Sequence, residues 1–140
     1  MRPFAVIDTE LDAPVPAPAQ DLLGIAEEIL EHWITARGEV PTTELTEGFR
    51  LLALHRQGAR GEPSFNACRE SCREIAYHFN LLYLEPGGAR AASRQRMMLM
   101  LVRHLSLFVS GKMQVAGLGD FCCASRPLRR ESAEPSLQKE

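Results

Sequence analysis

Cys68 and Cys72 stand one helical turn apart in the stretch 64–84, SFNACRESCREIAYHFNLLYL. Thiolates at that spacing point the same way and can approach one soft ion: zinc, copper(I) or the iron of a cluster. The other two cysteines, Cys122 and Cys123, supply the remaining ligands if the C-terminal segment folds back. The spacings argue against this chemistry. Common zinc sites use two-residue knuckles, and adjacent cysteines rarely ligate one ion together. Phe65, Cys68, Cys72, Ile75, Phe79 and Leu82 also recur at alternating steps of three and four. That pattern puts both thiols on the buried seam of a helix, where cysteine packs as a small hydrophobe. Core packing is the cheaper account, and Cys68, Cys72, Phe79 and Leu101 are expected to be buried.

The histidines offer a second metal chemistry, because His32, His55, His78 and His104 fall one on each predicted helix. Glu28–His32 and Glu74–His78 are four apart, whereas a di-iron bundle places Glu three residues before an inward His. At about 100° per residue, Glu74 lies nearly opposite the Phe65–Cys72–Phe79 face. Glu28 lies off the inner face of its own helix in the same way. Both carboxylates are expected in solvent, each adding a little helix stability beside its histidine.

Nucleic-acid recognition is the third chemistry to weigh. A helix, a loop and a Ser-capped helix give a loose helix-turn-helix rhythm, with Asn66, Arg69 and Arg73 facing bases and phosphates. The linker RQGARGEP exceeds the three- or four-residue turn that motif uses, and Glu70 and Glu74 interleave with the arginines. A solvated face explains these residues better. Arg90, Arg94 and Arg96 gather where the last helix begins, against its macrodipole, and form a candidate partner-binding cluster that meets carboxylates elsewhere. Catalytic patterns are missing: there is no glycine-rich phosphate loop, nucleophile elbow or metalloprotease motif. No cofactor is implied, and the expectation is that the protein is not an enzyme.

These residues must be positioned by helices. The chain has 140 residues, 45% of them hydrophobic, 24% charged and 6% aromatic, which suits one soluble domain with an aliphatic core. A net charge of −2 gives no overall attraction to nucleic acid or anionic membrane. Residues 3–7 read as a short strand or extended arm, and the Pro/Ala run in 12–19 as a polyproline-like linker. Predicted helices cover about 20–36, a segment after Pro41 carrying Leu45, Phe49 and Leu52, then 64–84, and about 91–110 ended by Gly111. Residues 125–140 are polar and read as a disordered tail.

The expected fold is therefore all-α. It has four main helices in a bundle or compact orthogonal array over 20–124, an extended arm over 1–19 and a disordered tail. The N-terminus lacks the apolar run of a secretory signal, and the longest apolar run, 97–102, is too short to cross a bilayer. A cytosolic protein with reduced thiols is expected. The last predicted helix is apolar around most of its circumference, more than one bundle face needs, which points to homodimerisation or a protein partner. The functional expectation is a small regulatory or adaptor protein acting through protein–protein contacts. A helix-turn-helix-like DNA-binding regulator and a thiolate metal or iron–sulfur protein are the alternatives.

Overall fold

The computed structural model describes residues 1–62 and 65–118. Five helices follow one another: α1 (Phe4–Leu11), α2 (Ala19–Ala36), α3 (Arg50–Gly58), α4 (Asn66–Leu84) and α5 (Ala91–Ala116). The chain is all-α, as its periodicity implies, and the only β pairing among the described residues is the isolated bridge between Thr46 and Phe49. α2 and α5 run through the centre. α5 packs on α1, α2 and α4, while α3 closes the other side against α2 and α4. Leu22, Ile29, Leu30, Trp33 and Ile34 of α2 meet Met98, Val102, Leu105, Val109 and Met113 of α5 in one core.

Three boundaries differ from the sequence reading. The N-terminal segment is a helix, not an extended arm, which makes five helices among the described residues where four are expected. Its inward residues Ile7 and Leu11 are buried, and tertiary burial outweighs the low intrinsic stability of an eight-residue helix. Polar contacts finish the docking. Ser106 Oγ donates to Asp8 Oδ1 at 2.9 Å, and Arg2 donates to Glu28 through both its backbone N–H, at 2.6 Å, and its guanidinium. Arg2 also pairs with Glu10.

The second predicted helix starts at Arg50, well after Pro41, because residues 46–49 form a tight reversal. Glu47 and Gly48 both have positive φ, 53° and 84°, as in a type I′ turn. Arg73 grips Glu47 across this turn with two hydrogen bonds of 3.0 and 2.9 Å. Arg50 anchors the loop from its other end, donating to Thr42 O at 2.8 Å and to Glu31 Oε2 at 2.5 Å. The last helix runs through Gly111 to Ala116, and Gly117, at φ 72°, supplies the left-handed C-cap instead.

Candidate functional site

The thiols come first. Cys68 and Cys72 are buried, as expected. The neighbouring Cys68 thiol, together with burial, pushes the Cys72 thiol well up, toward its protonated form. Among the described residues no three His, Cys, Asp or Glu side chains are placed to hold a metal ion. Cys122 and Cys123 lie outside the described residues, as do the Ser64 cap and the expected tail. Phe79 and Leu101 are only half-buried: Leu101 sits at the edge of its helix's inner face, while Phe79 is on the inner face of α4 but lines an open groove with Pro18, Ala19 and Leu82.

The two Glu–His pairs part company. Glu74 is exposed, as its position on the wheel requires. Glu28 is half-buried, because the docked N-terminus covers it: burial pushes its carboxyl up, and the hydrogen bonds from Arg2 more than reverse that. His32 faces the same N-terminus, with Nε2 2.5 Å from Arg2 O and its ring 4.5 Å from that of Phe4. Glu28 and His32 thus pin α1. The periodicity of α2 alone could not show this, because the partner is a helix in a segment whose sequence reads as an arm.

His55 is buried, 3.0 Å through Nε2 from Phe65 O, and its ring stacks on Phe65. Burial holds its pKa below the usual histidine value. His78 is also held down by burial; Glu74 acts against that and the Arg94 charge reinforces it. His78 Nδ1 and Arg94 Nη1 are buried without a hydrogen-bond partner among the described residues.

The candidate nucleic-acid residues sit on the outer face of α4. Asn66, Arg69 and Arg73 are exposed there, but Arg73 spends its guanidinium on Glu47. Glu70 and Glu74 share the face, so its net charge offers little to a phosphate backbone. Of the arginine cluster, Arg90 and Arg96 are exposed and Arg94 is half-buried toward His78.

The feature that stands apart is the outer side of α5. Met97, Met100, His104, Leu107, Gly111 and Val115 recur at steps of three and four, so they share one stripe. It lies opposite the buried Met98–Val102–Leu105–Val109 face. Met100, Leu107 and Val115 are 48%, 71% and 65% exposed, and Met97 is 36% exposed. The sequence shows the apolar excess of this helix but not which residues face out, since that depends on the inward partners α1, α2 and α4. Arg96 and Arg103 border the stripe. No helix of the described residues is long and apolar enough to cross a membrane. No protein-family model, curated protein or solved structure matches this chain. Fold and site together define a small all-α domain with an apolar stripe along its central helix that no other described residue covers.

Proposed function

We propose that this protein is a non-catalytic regulatory or adaptor protein that acts by protein–protein contact, with the outer stripe of α5 as its docking face. The observation behind this reading is that α5 is apolar on two opposite sides. One side is consumed by the core. The other leaves four large apolar side chains in water, at the spacing that helix-in-groove recognition uses for its anchors. Their combined exposed area is on the order of a few hundred Å², the size at which a surface patch is often functional. The histidines and thiols add nothing catalytic to it: His55, Cys68 and Cys72 are core residues. Free Cys68 and Cys72 fit a reducing, cytosolic setting.

The test is site-specific photo-crosslinking from position 107 in the native host, with position 70 on the far face of α4 as control. A discrete crosslinked product at 107, absent at 70 and lost when Met100→Glu is added, is expected. Equal labelling from both positions overturns the docking assignment.

A further inference from the structure

The edge of the α5 stripe decides what the docking face proposed above accepts, and this inference rests on that proposal. We propose that the stripe seats an amphipathic helix of another protein whose flank carries carboxylates.

α5 spans 26 residues without one Asp or Glu, and carries Arg94, Arg96, Arg103 and Lys112. Arg96 and Arg103 are seven residues apart and so lie on one edge of the stripe. Arg96 is exposed and makes no ion pair or hydrogen bond among the described residues. Arg103 donates to Asp12 at 2.6 Å, with both side chains well exposed, at 46% and 70%. An exposed pair of that kind is worth little, so a partner's carboxylate replaces it readily. The other edge is apolar, formed by the half-buried Leu101 and Phe108. A seated helix therefore meets cations on one flank only, which also fixes its rotation.

A second copy of the chain fits poorly. Antiparallel pairing of two stripes brings like edges together, Arg96 and Arg103 against their own equivalents; parallel pairing sets each arginine against the apolar edge. Neither arrangement gives α5 a carboxylate to meet. An anionic lipid surface matches the arginines but not the whole molecule, whose net charge is −2. Gly111 adds a steric clue: a Cβ there would meet nothing within 4 Å, so a partner backbone can come close at that point.

Fluorescence anisotropy with the full-length protein tests this. The probes are two synthetic, end-capped helical peptides of about 20 residues with the same leucine anchors, one carrying Glu and one Lys along a single flank. The Glu peptide is expected to bind about tenfold tighter or better, with the preference shrinking at high salt. Arg96→Glu should remove that preference and Gly111→Leu should block both peptides; circular dichroism checks that each variant is folded. Equal binding of the two peptides overturns the charge assignment and leaves the docking face standing. Self-association lost in Leu107→Glu, with neither peptide bound, overturns the inference and gives the face to a second copy. Binding to phosphatidylserine-containing vesicles in place of the peptides overturns it in favour of a lipid surface. No binding of any kind removes the docking face along with the inference.

Discussion

His55 sits in the core with its ring N–H committed to the Phe65 carbonyl, and burial keeps it neutral below the pH at which an unfolded chain would protonate it. The sign follows by linkage. Between the depressed native pKa and the ordinary value near 6.5, the unfolded state binds the extra proton, so stability falls as pH drops through that window. His78 titrates in the same direction. Urea midpoints measured at stepwise lower pH should therefore decline below about 6.5. His55→Gln, which keeps an N–H donor without a titrating ring, should flatten the decline relative to the wild type. An unchanged slope would mean His55 is not desolvated. The thiols give a matching residue-scale expectation. With Cys122 and Cys123 replaced by serine, the buried Cys68 and Cys72 should resist an aromatic disulfide reagent in the native state and react completely in urea. Rapid native labelling would contradict their burial.

At the scale of elements, α1 is the one with least of its own to keep it formed. Eight residues are too few for a stable isolated helix, so its helicity depends on Ile7 and Leu11 and on the Arg2–Glu28 and Asp8–Ser106 contacts. Ile7→Ala should remove about 2–4 kcal/mol of that docking. Hydrogen exchange should then show protection lost across 4–11 while α2 and α4 retain theirs; protection lost everywhere at once would make α1 part of the cooperative core. This element also marks the limit of what periodicity can say. α2, α4 and α5 were legible because each repeats an apolar face over four or more turns. α1 offers three inward residues, Phe4, Ile7 and Leu11, at helical spacing but over barely two turns beside a proline-rich run, and its helix exists because α2 and α5 receive it. The loop before α3 misled in the opposite sense. Leu45, Phe49 and Leu52 mimic a helical face, yet Leu45 is 64% exposed. The reversal at Glu47 and Gly48, both at positive φ, overrides the spacing; Glu47 is not a residue that signals such a turn, so the sequence hinted at it only through Gly48. The docking stripe was half legible for a related reason: composition revealed an excess of apolar residues on α5, and only the packed fold says which of them are left over.

For the molecule as a whole, α5 divides the sequence between stability and contact. Its inward side touches α1, α2 and α4 together, so a cavity there is felt by nearly every element at once. Leu105 is 1% exposed, and Leu107, two residues on, is 71% exposed. Leu105→Ala should lower the unfolding free energy by about 2–5 kcal/mol, the range for large-to-small core changes, with a single cooperative transition. Leu107→Glu breaks no packing and adds a carboxylate to a helix that carries only positive charge, so its effect on stability should stay within about 0.5 kcal/mol. Denaturant unfolding of both variants, read by circular dichroism, makes the comparison. If Leu107→Glu proves as costly as Leu105→Ala, the stripe is already covered in the folded protein, by the chain itself or by a second copy. If it is silent, α5 carries one face that builds the domain and another that the fold does not need, and any loss of function in that variant belongs to the contact it makes.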